Sequence, residues 1–586
     1  MRQWMVAAKK ADFYAIAEKF HVDPVVARII RNREVIGEKN IRIYLGGNLS
    51  DLSDPHQMKD MDRLVEILAQ KIRKQVHIRI IGDYDVDGVT SSHLFLTALR
   101  RVGAKVDVVI PHRIQDGYGL SLHLLQQAKE DGVDTILTCD NGIAAIDEIA
   151  WAKAQKMTVL VTDHHAVPFE EHEGRRTEKK SLADAVVNPH QQDCRYPYKE
   201  LCGAGVAWNV IRVLYENYDM DKREAEDLLD FVAMATVCDV MSLTGENRIL
   251  VKEGLKRIRH TKNIGLQALM QACNVQPENI SAYHFGYVLG PCVNATGRLD
   301  TARHALRLFE TGQETEAEEI ARDLVDLNQE RKELTLQGVE MAKKLCEEGG
   351  YEKDPVLVLF LPDVHESIAG LIAGRIREMY NRPVFVLTRG EEGVKGSGRS
   401  TENYSMYENM CGCAELFTKF GGHPMAAGLS LPEENVEKFR RKINENCPLT
   451  VEEVCPDIHI DMAMPVGYAS TELVHQFALL EPFGKDNPSP LFADRNLSIS
   501  RMWVIGKNRN VLRMSVLSEY GQPVPVIFFG DVETLFAYFT EKFGQKEVEN
   551  ALHGRKNRIL FSMVYTAKVD FYQGNENLQL EMKYYR

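Results

Sequence analysis

The chain has 586 residues, 44% of them hydrophobic and 26% charged, which is enough for three or four domains with full-sized cores. Its net charge of -13 argues against a protein that coats nucleic acid with a uniformly basic face. It leaves room for a nuclease, because an acidic metal site adds negative charge while a local basic groove holds phosphates.

The 11 cysteines form no C-x-x-C pair, which points to a reducing compartment rather than a disulfide framework. The first twenty residues lack the apolar run of a signal peptide, and no later run approaches the ~18 apolar residues of a membrane span. A cytoplasmic location is therefore expected.

In chain order, residues 1–75 are assigned to the catalytic core as its N-terminal segment. The first strong strand signal is "VHIRII" from Val76, rich in β-branched residues and ending in "GDYDVDG". The alternation Asp83, Asp85, Asp87, followed by Gly88, looks like the start of an EF-hand loop. The twelfth place is Leu94, however, and the acids follow a strand rather than a helix, so calcium is disfavoured. A catalytic metal site and a polar turn remain.

"VDVVI" (106–110), "TILTC" (135–139), "TVLVT" (158–162) and "ADAVV" (183–187) alternate with helix-like stretches. That alternation predicts βαβ units and a parallel sheet, whose ligand crevice lies beyond the carboxyl ends of the strands. Those ends carry Asp83, Asp85 and Asp87, then Asp140, Asn141 and Gly142, then Asp163, His164 and His165; Asp239 sits inside the apolar run "FVAMATVCDVMSL". Any one of these aspartates reads as a helix cap or turn residue, and adjacent histidines are more often surface or core residues than ligands. Jointly they place about five carboxylates and a histidine at one crevice, a concentration of like charge that is costly without cations. Oxygen-rich coordination with one histidine suits Mn²⁺ or Mg²⁺.

Residues 300–348 are helix-prone and free of proline, so a long connecting helix is expected. A second α/β segment follows, with "DPVLVLFL" and "RPVFVLTR" as strands flanking the helical "SIAGLIAGRIREMY". The glycine-rich phrases "VKGSGRS" (394–400) and "FGGHPMAAGLSL" (420–431) read as loops able to grip a phosphate, although glycine loops are common. Residues 455–586 show short alternating strands that fit a small barrel of the OB type. Trp503, Lys507, Arg509 and Arg513 are candidates for a strand-binding face, with a core position the alternative for the aromatic.

Taken in order, "IGDYDVDGVTSS", "TCDNGI", "VTDHHAV", "CGAGVAW", "ATVCDVMSL", "NATGRLDTA", "VHESIAGLIAGRI", "GSGRS", "FGGHPMAAGLSL" and "LEPFGKDNPSP" resemble the DHH phosphoesterases, named for the Asp-His-His seen here as Asp163, His164 and His165. Within that superfamily the chain is most similar to the RecJ exonucleases. The resemblance implies an α/β multidomain protein: a parallel-sheet DHH domain (76–300), a connecting helix (301–348), an α/β DHHA1 domain (349–450) and a C-terminal OB-like β-barrel (455–586). It implies that Asp83, Asp85, Asp87, Asp140, His164 and Asp239 bind two Mn²⁺ or Mg²⁺ ions. His165 completes the catalytic set, contacting phosphate or supporting the structure. Arg113, Asn294, Arg298, His365, Ser397, Arg399 and His423 are implied to hold the DNA backbone.

The implied activity is degradation of single-stranded DNA from the 5′ end to 5′-mononucleotides by two-metal hydrolysis, in recombination and repair. Single-strand-binding protein and a RecQ-type helicase are the implied companions of a monomer. Where the family phrases lead one to expect glycine, this chain has Ser367 and Asp486. The alternatives are a short-oligonucleotide or cyclic-dinucleotide phosphodiesterase, which the barrel argues against; a non-catalytic DHH-like replication scaffold, which the intact acidic set argues against; and an inorganic pyrophosphatase, which lacks this length.

Overall fold

The computed structural model describes residues 3–113, 116–117, 119–172, 175–390, 393–450, 452–453, 457–506, 510–572 and 574–586. They form two compact units. One comprises mainly Leu52–Met241 and Ile249–Pro456; the other comprises Gln3–Asp51, Ser242–Arg248 and Asp457–Arg586. No helix among the described residues is long and apolar enough to cross a membrane.

The larger unit begins with the expected parallel sheet. Its strand order is Val106–Val109, Ile78–Ile81, Thr135–Cys139, Thr158–Thr162, Ala185–Val187, every neighbour parallel. The apolar runs become strands because both faces are covered: Ile78, Ile80, Ile81, Ile136, Leu137, Val159, Leu160 and Val161 are fully buried. Each such side chain contributes about 1.5–3 kcal/mol of burial. Strand order reverses around Ile78–Ile81, whose neighbours lead away on both sides, and a crevice opens beyond the carboxyl ends at such a switch point.

The helix that leaves this strand, Val86–Arg101, is almost entirely buried. His93 on it packs against Phe231, with ring centroids 4.4 Å apart, and against Phe309 at 5.8 Å. Burial first, then the charges of Arg100 and Arg101, lowers its pKa to about 3. An unfolded histidine takes up a proton near pH 6.5 while this one stays neutral, so its contribution is complete above pH 6.5 and is lost as pH falls toward 3. Between pH 6.5 and 5, urea unfolding of the wild type should lose up to about 1.4 kcal/mol per pH unit more than His93→Leu; parallel slopes would remove His93 as a source of acid sensitivity.

The predicted helix over 300–348 is divided. Arg303–Glu310 ends at Thr311, whose backbone turns extended and whose Oγ1 accepts a hydrogen bond from Gln313 N, and Glu314–Glu348 then runs for 35 residues. Beyond it, Leu357–Phe360 and Val384–Gly390 pair in parallel around the helix Glu366–Tyr380. Gly393–Arg399, Ala426–Leu431 and Lys419–His423 extend that sheet antiparallel. The glycine-rich phrases are thus strands rather than loops. In the first phrase the glycines answer to packing: a Cβ on Gly396 would lie 2.4 Å from Leu387, and one on Gly398 2.3 Å from Met406.

In the smaller unit, strands Phe492–Ile505, Val511–Leu517, Pro523–Phe529, Asn575–Tyr585 and Leu560–Tyr572 pair in succession, and the last returns to the first, closing the barrel. Residues 3–51, expected in the catalytic core, belong with this unit instead. Val26, Ile29 and Ile30 share one core with Met502, Leu512 and Phe561, and Arg33 forms a nearly buried ion pair with Asp461 at 2.8 Å. An amphipathic helix shows that it has a buried face but not which surface covers it, which is why the sequence misplaced this segment.

Of the barrel candidates, Trp503 is half-buried, registers opposite Arg513 and lies 5.7 Å from the Arg501 guanidinium, so it is not a core residue. Lys507 and Arg509 fall outside the described residues.

Candidate metal centre

Every acid of the predicted set emerges from an element of the larger unit. Asp85 caps Val86–Arg101, its Oδ1 accepting from Gly88 N at 3.0 Å. Asp87, in the first turn, is buried; its two oxygens accept from Ala204 N at 2.7 Å and Gly203 N at 2.6 Å, the first amides of helix Gly203–Asn217. A helix N-terminus offers such unpaired N–H groups to an anion, and here they fix the carboxylate's orientation. Asp140 follows Thr135–Cys139 at a left-handed φ of 61°. Asp239 is the C-cap of Leu229–Cys238.

These side chains converge. His164 Nε2 lies 3.1 Å from Asp140 Oδ1, 3.6 Å from Asp239 Oδ2 and 3.7 Å from Asp87 Oδ2. Donor atoms of Asp87, His164 and Asp239 lie within 4.8 Å of one another, as do those of Asp83, Asp85 and Asp140, and those of Asp140, His164 and His165. Burial, then the neighbouring carboxylates, pushes Asp83, Asp85 and Asp140 above the usual carboxylate range. Among the described residues, Asp83 Oδ1 is buried without a hydrogen-bond partner. Buried acids that repel one another around an imidazole nitrogen fit divalent cations bound through oxygen and nitrogen.

Asp163 has a different task. Its Oδ1 accepts from His164 N, His165 N and His165 Nδ1 at 2.7, 3.0 and 2.8 Å, and its Oδ2 from Ile143 N at 2.9 Å. Burial opposes protonation of His165, but the Asp163 hydrogen bond and charge outweigh it and raise its pKa to about 9. Asp163 thus holds the His165 ring beside the centre.

The phosphate-holding candidates divide. A cavity of about 460 Å³ is lined by Tyr84, Arg113, Ser367, Lys395, Ser397 and Phe420, among others. Tyr84 stands between two metal-set acids and carries Arg113 over its ring at 4.5 Å. Arg298 donates to Ser367 O at 2.7 Å, and Arg399 to Ser397 Oγ at 3.2 Å. Burial, then the charges of Arg113, Arg331 and Arg399, lowers the Arg298 pKa to about 9; burial, then Arg377 and Arg113, lowers that of Arg399. Arginines close enough to repel one another make a site that an anion relieves.

Asn294 instead faces the metal loop, its Oδ1 accepting from Val86 N at 3.2 Å. His365 is exposed and caps Glu366–Tyr380. His423 is exposed at the end of Lys419–His423 and is not brought into the cavity lining. The Gly203–Ala204 clamp and the Asp163 brace went unassigned in the sequence; "CGAGVAW" was the only signal for the first, and the strand-end position of Asp163 the signal for the second.

Three family models match: the DHH family N-terminal domain over residues 77–236, the DHHA1 domain over 353–447 and the RecJ OB domain over 460–584. The chain is 33% identical to the single-stranded-DNA-specific exonuclease RecJ of Bacillus subtilis over 512 residues, covering 87% of this chain and 63% of that protein. It is 32% identical to the protein of that name from Haemophilus influenzae over 581 residues, covering 96% of each. The crystal structure of RecJ in complex with Mn²⁺ from Thermus thermophilus superposes with a TM-score of 0.81 at 25% identity, covering all of this chain and 79% of that one. With all three domain types in order and near-complete coverage of a 32% identical relative, the chain belongs to the RecJ family of DHH/DHHA1 proteins.

Proposed function

We propose that this protein is a metal-dependent exonuclease that degrades single-stranded DNA from its 5′ end to 5′-mononucleotides, in DNA recombination and repair. The observation that carries this reading is the adjacency of the acidic centre, through Tyr84, to a cavity lined by Arg113, Lys395 and Lys419, which joins a cation site to a phosphate site. Asp83, Asp85, Asp87, Asp140, His164 and Asp239 would hold two Mn²⁺ or Mg²⁺ ions. When bound, such ions lower the pKa of a water and neutralise charge on the scissile phosphate.

The chain's own residues supply the rest. Gly203 and Ala204 fix Asp87, Asp163 fixes the two histidines, and Arg113, Arg298 and Arg399 take the charge of the backbone phosphates. His165, held by its hydrogen bond to Asp163, stands beside the reacting phosphate. The closed barrel, with Trp503 and Arg513 on its surface, supports a substrate longer than a dinucleotide. The preserved acidic set argues against a non-catalytic scaffold. We take 76–300, 301–348, 349–450 and 455–586 as the working division into DHH domain, connecting segment, DHHA1 domain and barrel, in a cytoplasmic monomer that meets single-strand-binding protein and a RecQ-type helicase on its substrate.

The test gives the protein a single strand of ~30 nucleotides labelled at either end, its duplex, and a dinucleotide, with Mn²⁺ or EDTA. Release of the 5′ label as mononucleotide, only with metal and only from the single strand, is expected. Cleavage confined to the dinucleotide would move the assignment to the short-oligonucleotide enzymes. Arg399→Ala should weaken single-strand affinity by about 10-fold or more, the worth of a charge-assisted hydrogen bond, and reduce the salt slope by about one, with the Mn²⁺-induced thermal shift intact. Unchanged affinity would remove Arg399 from the phosphate-holding set.

A further inference from the structure

Cys273 ends helix Ile264–Ala272 as its C-cap, and Cys292 lies on helix Gly290–Leu299. Their sulfurs are 3.7 Å apart, the only cysteine sulfurs in hydrogen-bond contact with each other among the described residues. Cys273 is half-buried and Cys292 is buried. Cys292 Sγ also accepts from Asn328 Nδ2 at 3.4 Å and lies 3.3 Å from Val288 O. Asn328 and Lys332 stand one turn apart on helix Glu314–Glu348, so the face that meets Cys292 also brings a cation toward Cys273.

A thiol has one hydrogen. That of Cys292 has two acceptors in reach, Val288 O and Cys273 Sγ, and it turns to Cys273 when that sulfur ionises. The hydrogen bond from Cys292 holds the Cys273 thiol below its usual range, against burial and with the aid of Lys332, while the same bond and burial push Cys292 up. The pair thus consists of a solvent-reached nucleophile and a buried thiol in contact with it, which is what a peroxide-sensitive site needs.

We propose that Cys273 and Cys292 form a disulfide on exposure to a hydroperoxide, and that this bond slows the nuclease. The Cys273 thiolate attacks the terminal oxygen of the hydroperoxide. The O–O bond breaks, the second oxygen leaves with a proton as water or an alcohol, and Cys273 becomes a sulfenic acid. The Cys292 sulfur then displaces the hydroxyl from Cys273; the hydroxyl takes the Cys292 proton and leaves as water. Two electrons pass from the two sulfurs to the peroxide. A bond of this kind is compatible with a reducing compartment, where disulfides are transient and regulatory.

Closing the bond draws the sulfurs from 3.7 Å to about 2.05 Å. Helix Gly290–Leu299 has little room to absorb the movement. A Cβ on Gly290 would lie 2.3 Å from Cys238 Sγ, beside Asp239, and one on Gly297 would lie 2.3 Å from Tyr84 O. Between these contacts Asn294 Oδ1 accepts from Val86 N at 3.2 Å, in the loop that carries Asp85 and Asp87. A displacement of about 1 Å in catalytic groups costs about 100-fold in rate. The slowing rests on the reading of this chain as a nuclease; the bond itself does not.

The experiment treats the protein in EDTA with a small excess of hydrogen peroxide, removes the peroxide, maps alkylated peptides by mass spectrometry without reductant, and assays the single strand with Mn²⁺. Cys273→Ser and Cys292→Ser are treated alongside. The wild type should yield the joined Cys273 and Cys292 peptides and a kcat about 10-fold or more lower, both reversed by dithiothreitol. Cys273→Ser should keep its untreated activity. Cys292→Ser, which lacks the second thiol, should hold Cys273 as the sulfenic acid, captured by dimedone.

With an active untreated wild type, the proposal is overturned by the absence of the joined peptides, by an unchanged kcat once the bond has formed, or by an equal loss in Cys273→Ser. An untreated wild type that leaves single-stranded DNA intact in every metal would instead overturn the functional reading, and the slowing with it. The peptide map would still decide whether the bond forms.

Discussion

Asp140→Ala should lower single-strand hydrolysis by about 1,000-fold or more, because it removes a carboxylate from the group formed with Asp83 and Asp85 and from the one formed with His164 and His165. The fold should survive. Asp140 is a buried charge beside other charges, pushed up first by burial and then by Asp87, Asp85, Asp239 and Asp83. Removing it relieves that repulsion, which offsets the cost of alanine at the left-handed φ of 61°, so in EDTA the variant should melt within a few degrees of the wild type.

Mn²⁺ should separate the two proteins in the opposite direction. At 100 times its dissociation constant a ligand stabilises by about 2.7 kcal/mol, and the variant should forfeit most of that gain. Thermal unfolding with and without Mn²⁺, beside the labelled-strand assay, checks both halves. Full activity, or a wild-type Mn²⁺ shift, would place the ions elsewhere.

Gly203→Ala should be nearly as damaging, although it changes no charge. A Cβ on Gly203 would lie 2.6 Å from Asp140 Cβ and 2.9 Å from its Cα and Oδ1, so the backbone of the metal loop or of helix Gly203–Asn217 must shift. The Gly203 amide donates to Asp87 Oδ2 at 2.6 Å, so the same shift loosens a second acid. Displacing catalytic groups by about 1 Å costs about 100-fold in rate, and overpacking a buried site adds about 1–3 kcal/mol of destabilisation. The expected pattern is a low kcat with weakened metal dependence in a protein that still folds. Gly205→Ala is the control, since a Cβ there meets only side-chain atoms, the nearest at 3.4 Å. Equal activity of the two variants would show that the 203 contact is absorbed elsewhere.

Much of the centre was legible because a parallel sheet delivers the carboxyl ends of its strands to one edge, whatever the side chains do. The runs at 135–139 and 158–162 were enough to bring Asp140 and His164 toward Asp83, Asp85 and Asp87. Asp239 was legible as an acid in an apolar run, which is costly without a cationic partner. The long reach from 83 to 399 was legible only through the resemblance, since residue types do not reveal which arginine of a distant domain comes near.

What the sequence by itself determined is the alternation of strand and helix, the acids at strand ends, the second α/β segment and the barrel, because each follows from local periodicity and turn chemistry. Only the tertiary structure decided that Asp163 braces backbone amides rather than joining the converging acids, that Asn294 caps the metal loop, and that the glycine phrases are packed strands. It alone placed residues 3–51 against the barrel core. The reason is common to all four: hydrogen-bond direction and surface pairing depend on what lies across the fold, and a residue's neighbours in the chain do not carry that information.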